Sequence, residues 1–461
     1  MKNESREHRE LLLFGTPPGD FARMSEATRQ ALADEYAAAS SERQAQIVDV
    51  VGNLAIDLRS YLVRWHLLAP RGGVALDEEV LRLEADRNRD LLRRWGADLK
   101  LEEVDGEIAS IAASKMRGLS ELSDEGKLDS RWGHDAATGL TWAIRRGAVL
   151  VTTNPVMVNT VRKEDPATWD PVRDALKASH PDATPEQRAS LMTMNVVLDE
   201  CRELRPIWHT TEGRYGYVSL QINPRANEDA GRMVEEVEDL YGRLTTELGG
   251  TPNTVFKIPG TRAGLEAVRR LTSQGIGVTV TVNASVDQQL AFGEVIEQGS
   301  APLSFLVLMM GRLDDPVREE LAATGLPDAL EVSRWASVAV LRRAYRHLFE
   351  ERGYRRSAIL AASMRGPWTI DGSIVTGPSE VFITCFPDKA RDYDSIERPL
   401  VSHVRDPLPE GIEEKLARSE TFRKAYGVGA LPVEAFDSFV PVVQTLDQFS
   451  RNYDEFVEYN R

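Results

Sequence analysis

The chain has 461 residues, with 56 basic against 72 acidic side chains and a net charge of −16. That balance argues against non-specific binding to nucleic acid. Two cysteines, Cys201 and Cys385, are too few for a disulfide framework or a cysteine zinc site.

The first ten residues, MKNESREHRE, are too charged for the apolar stretch of a signal peptide. The longest apolar run, Phe305 to Met310, is far too short to span a bilayer. A cytoplasmic protein without membrane association is therefore expected. Residues 1–120 read as a helical region that caps the main domain. Ile47, Val50, Val51, Leu54, Leu58 and Leu62 recur at helical spacing, Pro70-Arg-Gly-Gly73 breaks the pattern, and a further helix runs from about Leu76 to Trp95.

From about residue 121 short apolar segments alternate with longer amphipathic ones. Strands are expected near 127–129, 148–153, 216–222, 254–258, 277–283, 304–310, 357–363 and 381–386. Helices such as Gly264–Gln274 and Asp287–Gln298 lie between them. Eight strands, each followed by a helix, point to an α/β fold, and a closed (β/α)8 TIM barrel over residues 121–395 is the economical solution. A doubly wound sheet is the competitor, but no Gly-x-Gly-x-x-Gly follows an early strand. Residues 396–461 form a C-terminal extension. Its last segment carries Val443, Leu446, Phe449, Tyr453 and Phe456, an amphipathic helix expected to pack on the barrel and reach its mouth.

In such a barrel the chemistry sits where the strands end. Lys257 stands out, because it interrupts the apolar run Val255-Phe256-Lys257-Ile258-Pro259. Desolvation lowers the pKa of a buried lysine, and the neutral amine can attack a carbonyl. The alternative is a lysine that snorkels out or pairs with a carboxylate. Arg312, Ser363 and Arg365 close two adjacent strands and suit a phosphate, unless they are simply solvated. Asp129 is either a general acid/base near Lys257 or a turn residue. Thr152, Thr153 and Asn154 either bind a substrate hydroxyl or cap the next helix. Gln221 and Thr281 lie on the third and fifth strands. His134, Trp208 and His209 fall in segments expected near the mouth, where a structural role suits each better than a catalytic one.

In chain order these segments are LDS (128–130), VTTNP (151–155), GYVSLQINPR (216–225), FKIPGTRAGLEAVRRLTSQGI (256–276), GRLDD (311–315) and ASMR (362–365). Together they resemble the transaldolase family, the class I aldolases that include the fructose-6-phosphate aldolases. The resemblance implies a Schiff base on Lys257 with a ketose phosphate. It implies proton shuttling by Asp129, with Asp135 as a rival, and a substrate hydroxyl held by Asn154 with Thr153 and Thr281 nearby. Phosphate binding would fall to Arg312, Ser363 and Arg365. No metal and no organic cofactor is implied. The partner is a small sugar phosphate, and a homo-oligomer is compatible with it. The expected activity is transfer of a three-carbon ketol unit to an aldehyde, as in pentose phosphate metabolism. A diverged lyase and a barrel that only binds are the alternatives.

The chain also departs from the family. Gln221 stands where transaldolases have a glutamate. The aldolase branch pairs such a glutamine with a tyrosine on strand six, and Leu306-Val-Leu-Met-Met310 has none. Thr279 replaces an asparagine, and Val307 replaces a serine. A glutamine cannot act as a base, so one expected proton acceptor is missing.

Overall fold

The computed structural model describes residues 2–60 and 77–461. Leu62, the Pro70–Gly73 break and the start of the Leu76–Trp95 helix lie outside them. Eight parallel strands close into a barrel in the order β1 to β8. They are β1 Ser130–Asp135, β2 Ala148–Thr152, β3 Tyr217–Gln221, β4 Thr254–Pro259, β5 Val278–Thr281, β6 Ser304–Met309, β7 Ser357–Ala362 and β8 Val381–Cys385. Seven expected strands fall within a residue or two of these. The first does not: it begins at Ser130, just beyond the expected 127–129.

The residue types explain the difference. β1 reads Ser-Arg-Trp-Gly-His-Asp, without an apolar run. It alternates inward Arg131, Gly133 and Asp135 with outward Trp132 and His134. Trp132 donates to the Arg146 carbonyl at 2.9 Å, and a His134 ring nitrogen lies 2.6 Å from the Thr138 carbonyl. Asp129 precedes the strand. Its carboxylate accepts from the Gly377 amide at 2.8 Å, and its carbonyl accepts from Val381 at the start of β8. At ~3.3 Å per residue the six-residue rise to Asp135 spans about 20 Å. Asp129 thus lies at the far end of the barrel from the strand C-termini.

Helices surround the barrel. β4 leads through Gly260-Thr261 into Arg262–Ser273, with the Thr261 hydroxyl capping Gly264 at 3.0 Å. A Cβ on Gly264 would lie 1.9 Å from the Pro259 carbonyl, so only glycine lets this helix start so close to the strand. Three helices, Pro155–Glu164, Pro166–Ser179 and Pro185–Thr210, separate β2 from β3. The last runs back to the N-terminal end of β3, which puts Trp208 and His209 at the barrel floor rather than at its mouth. Helix Val440–Tyr459 packs on the first and third of these. Val158, Leu176, Ala189, Met192, Tyr453 and Phe456 form a second, smaller core there.

The N-terminal helices dock on the outside. Asp57 receives the Arg145 guanidinium at 2.7 Å, and Asp394 accepts from the Lys115 amide at 2.7 Å. Helix Lys115–Asp124 then feeds β1 from below. Among the described residues no helix is long and apolar enough to cross a membrane.

The strand registers fix the interior. Thr152 pairs with Ser219, Ser219 with Val255, Lys257 with Thr279, Thr279 with Phe305, Val307 with Leu360, Leu360 with Phe382, and Thr384 with Gly133. In an eight-stranded barrel of this shear each in-register neighbour sits about one residue lower along the axis. Thr152, Lys257, Val307 and Thr384 therefore share one level on the even strands. Asp135, Gln221, Thr281 and Ala362 form the level above, towards the mouth. Gly133, Ser219, Thr279 and Leu360 lie below. The 2.8 Å separation of the Thr152 and Thr384 hydroxyls and the 2.9 Å bond from Ser219 to Thr279 bear this layering out. Beneath them Phe305 and Phe382, with centroids 5.1 Å apart, plug the barrel, so Lys257 is reached only from the strand C-termini.

Candidate active site

A cavity of about 70 Å³ opens above this level. Its lining includes Asp135, Thr152, Asn154, Lys257, Thr281, Val307, Arg312, Ser363 and Thr384, closed by Phe386 and by Phe449 of the C-terminal helix. No described residue of the N-terminal helices contributes.

Lys257 is 6% exposed, and burial lowers its pKa from the ordinary lysine value to about 8, with Asp135 opposing the shift. Its amine donates to the Thr153 carbonyl. Burial raises the Asp135 pKa; the Lys257 charge and the Thr152 hydroxyl, which donates to Asp135 at 2.7 Å, pull the other way. An amine and a carboxyl thus face one small space, each pushed towards its neutral form by burial and back by the other.

Strand alternation sorts the Thr152-Thr153-Asn154 segment. Thr152 points inward. Thr153 turns its hydroxyl to the Ser219 carbonyl at 3.3 Å, so it meets Lys257 through its backbone and not as a side-chain ligand of the cavity. Asn154 does two things at once. Its Oδ1 caps helix Pro155–Glu164 by accepting from Val156 at 3.0 Å and Met157 at 3.2 Å. That fixes the amide and leaves its Nδ2 donors for the cavity it lines.

Gln221 is in register with Lys257 on the inward side. Its Nε2 donates to the Ile222 carbonyl at 3.0 Å, and its buried Oε1 has no partner. Thr281 lines the cavity, with its hydroxyl directed to the Met309 sulfur at 3.9 Å.

At the rim, Arg312 lies in the first turn of helix Met310–Ala323 and donates to Gln448 of the C-terminal helix. Arg365 bonds the Ser363 hydroxyl at 3.0 Å and Asp315 at 2.8 Å. Ser363 has φ of 63°, a left-handed conformation unusual for a residue with a Cβ. A Cβ on Gly311 would come within 2.4 Å of the Arg365 guanidinium, so glycine there admits Arg365 beside the helix start. Burial, then the neighbouring Arg365 charge, lowers the Arg312 pKa.

The structure thus gathers Lys257, Asn154, Thr281, Arg312 and Ser363 around one cavity, with Gln221 and Arg365 adjoining it. It leaves Asp129 at the opposite end and puts Asp135 in the place expected of Asp129. Thr384 and Gln448 are functional candidates that sequence reasoning misses. The alternation of β8, Val-Phe-Ile-Thr-Cys, does mark Thr384 as inward-facing. Gln448 has no comparable signal, because its place depends on how the C-terminal helix docks. Among the described residues no cluster of three or more histidine, cysteine, aspartate or glutamate side chains is arranged to hold a metal ion.

A profile of the family Transaldolase/Fructose-6-phosphate aldolase matches residues 141–413. The match begins after β1, so it leaves Asp135 outside. The chain is 30% identical over 227 residues to the transaldolase of Thiobacillus denitrificans, covering 47% of this chain and 60% of that protein. It is 29% identical over 243 residues to the transaldolase of Mycobacterium tuberculosis, covering 49% and 63%. With the transaldolase of Parafrankia it shares 30% over 259 residues, 52% and 67% of the two lengths. The match to the first two relatives thus spans less than two thirds of their length.

Proposed function

The chain belongs to the transaldolase/fructose-6-phosphate aldolase family, and from that premise we propose that it is a transferase acting on a ketose phosphate through a Schiff base on Lys257. The three-carbon ketol unit then passes to an aldehyde acceptor. The observation that carries this reading is Lys257 itself: a buried amine at the barrel axis, its pKa lowered to about 8, with Asp135 on the level above. A lysine so placed costs stability, and a catalytic use is what accounts for keeping it.

In the proposed sequence the neutral Lys257 amine adds to the donor carbonyl, and the oxygen leaves as water, giving a protonated imine. Asp135 takes the proton from the hydroxyl on the far carbon of the bond to be broken. That bond then cleaves, the aldehyde departs, and the electron pair is held as an enamine on Lys257. An acceptor aldehyde reverses the steps, with Asp135 returning its proton. Water finally regenerates the amine. Asn154 offers its Nδ2 to a donor hydroxyl, and Arg312, Ser363 and Arg365 form the anionic end of the site. Gln221 supplies no base, so Asp135 serves both directions. General acid/base assistance is worth ~10²–10⁴-fold, which sets what its loss would cost.

The test is borohydride trapping. Protein incubated with fructose 6-phosphate, dihydroxyacetone or dihydroxyacetone phosphate is reduced, digested and mapped by mass spectrometry, with Lys257→Ala as control. An adduct on Lys257 supports the reading, and no adduct with any donor overturns it. Product analysis with and without erythrose 4-phosphate then separates transfer from simple cleavage.

A further inference from the structure

A groove of about 830 Å³ lies apart from the cavity above Lys257. No strand residue lines it, so it sits outside the barrel, and its volume is that of a small-molecule site. One wall is helix Ala336–Tyr345 with the turn that follows it. The other is the C-terminal extension, where residues 404–411 run into helix Ile412–Leu416. The helix wall carries Arg342, Arg343 and Arg346. Arg346 lies 3.7 Å from Glu351, and Arg405 of the opposite wall pairs with Glu350 at 2.8 Å. Arg342 and Arg343 form no ion pair among the described residues. Arg342 packs 5.8 Å from the Trp335 ring centroid and donates at 3.0 Å to the Asp406 carbonyl, while the Asp406 carboxylate lies 2.6 Å from a His403 ring nitrogen. Arg343 stacks over Tyr426 at 4.4 Å. The Nε of each is buried without a partner.

Stacking uses the flat face of a guanidinium and leaves its edge donors free, which is the geometry that takes a phosphate. The facing wall is acidic. Glu410, Glu413 and Glu414 line it, exposed and without ion pairs among the described residues. A ligand that is anionic throughout is repelled by these carboxylates. Hydroxyl groups donate to them, because an ionised carboxylate only accepts. A phosphate on a hydroxylated body therefore satisfies both walls at once. No lysine lines the groove, so a sugar held there meets no amine.

We propose that this groove is a second site, separate from the catalytic cavity, which binds a phosphorylated sugar without converting it. Its arginine helix is tied to the barrel mouth. Ser337, in the first turn of that helix, donates to Asp314 through its amide at 2.9 Å and its hydroxyl at 3.1 Å. Asp314 stands two residues from Arg312 on helix Met310–Ala323. The ligand is thus one helix away from the rim of the catalytic cavity. The proposal does not rest on the reading of Lys257.

The probes are glucitol 6-phosphate and ribitol 5-phosphate, which have no carbonyl and cannot form an imine. They are titrated calorimetrically into the whole chain carrying Arg312→Leu, so that the rim of the catalytic cavity does not compete. At least one of them is expected to bind. Adding Arg342→Gln or Arg343→Gln to that protein is expected to weaken the binding by more than about tenfold. Inorganic phosphate lacks the hydroxylated body and glucitol lacks the phosphate, and each is expected to bind at least about tenfold more weakly than the sugar phosphate. Thermal melting checks that every variant is folded, and the two arginine variants are made separately, so a comparison survives if one fails. Binding of neither probe overturns the proposal. So does binding that neither arginine variant weakens, which places the ligand elsewhere. Inorganic phosphate bound as tightly as the sugar phosphate overturns it too, since the groove is then a plain anion site.

Discussion

The hydroxyls of Thr152 and Thr384 lie 2.8 Å apart across the seam that closes the barrel. Thr152 has one proton, and it goes to Asp135 at 2.7 Å. Thr384 must therefore be the donor to Thr152, which gives a directed chain from β8 through β2 to the β1 carboxylate. The effect of Thr384 on the chemistry passes through Thr152, so it is a positioning residue for Asp135.

Thr384→Val removes that donor at nearly constant volume. Its expected effect is a roughly tenfold lower kcat for bond cleavage with KM little changed. The limb of the pH profile that reports Asp135 should move to higher pH, because the carboxylate loses support while burial still raises its pKa. Thr384→Ser should restore both. Loss of kcat with an unmoved pH profile and no rescue by serine would leave only a structural role.

Lys257 sets a second pH dependence. The neutral amine is the nucleophile, and its pKa is lowered to about 8. The rate of reductive trapping should therefore rise with pH through a midpoint near 8, rather than near the ordinary value of ~10.4. At pH 7 about one molecule in ten has the neutral amine. A midpoint near 10 would mean that Lys257 stays in water. The stability sign follows from the same shift. Between about 8 and the unfolded value the folded chain binds fewer protons than the unfolded one, so stability rises with pH through that window. The stability advantage of Lys257→Met over wild type should accordingly shrink as pH is raised.

The two aspartates that bracket β1 separate cleanly by experiment. Asp135→Asn should still label at Lys257 but lose bond cleavage by ~10²-fold or more. Asp129→Asn, whose carboxylate holds the Gly377 amide at 2.8 Å, should keep cleavage and lose about 1 kcal/mol of stability. Chemical denaturation and a cleavage assay on both proteins decide it. The reverse pattern would put the acid/base group at the wrong end of the barrel.

This pair also shows what is legible in the sequence. Seven strands announce themselves because their outward residues are mostly apolar, with an apolar inward face as well in several, as in Val-Phe-Lys-Ile, and against that run a lysine is conspicuous. β1 carries arginine and aspartate on its inward face, so it lacks the run, and the pattern points to an aspartate six residues too early. Thr153 is a related case: adjacent threonines look alike in sequence, and only the pleat sends one inward and the other to the Ser219 carbonyl. The contacts of Gln448 and Phe449 depend on where a distant helix docks, which no local pattern encodes.

Gln221 offers a further test, because its Oε1 is buried without a partner. Gln221→Glu places a second carboxylate in register with Lys257. An adjacent negative charge favours the ammonium, so the trapping midpoint should move above 8. At pH 7 trapping should slow accordingly, while hydrolysis of the imine gains a base and should quicken. Measuring the midpoint by trapping and imine decay by rapid quench separates the two effects. An unmoved midpoint would show that residue 221 does not face the amine.

The rim arginines carry the last prediction. Asp315 already takes one charge from Arg365 at 2.8 Å, which leaves Arg312 as the main unneutralised cation, bonded to the neutral Gln448. A phosphate arriving there must displace or share that amide, and the C-terminal helix that carries Gln448 and Phe449 must shift with it. Arg312→Leu should raise the half-labelling concentration of fructose 6-phosphate by more than about tenfold while leaving fructose within about twofold. Gln448→Ala should do the opposite for the phosphorylated sugar, since the guanidinium is then free to pair. If Arg312→Leu weakens both sugars equally, the arginine supports the fold of the rim, and the phosphate end of the site lies elsewhere.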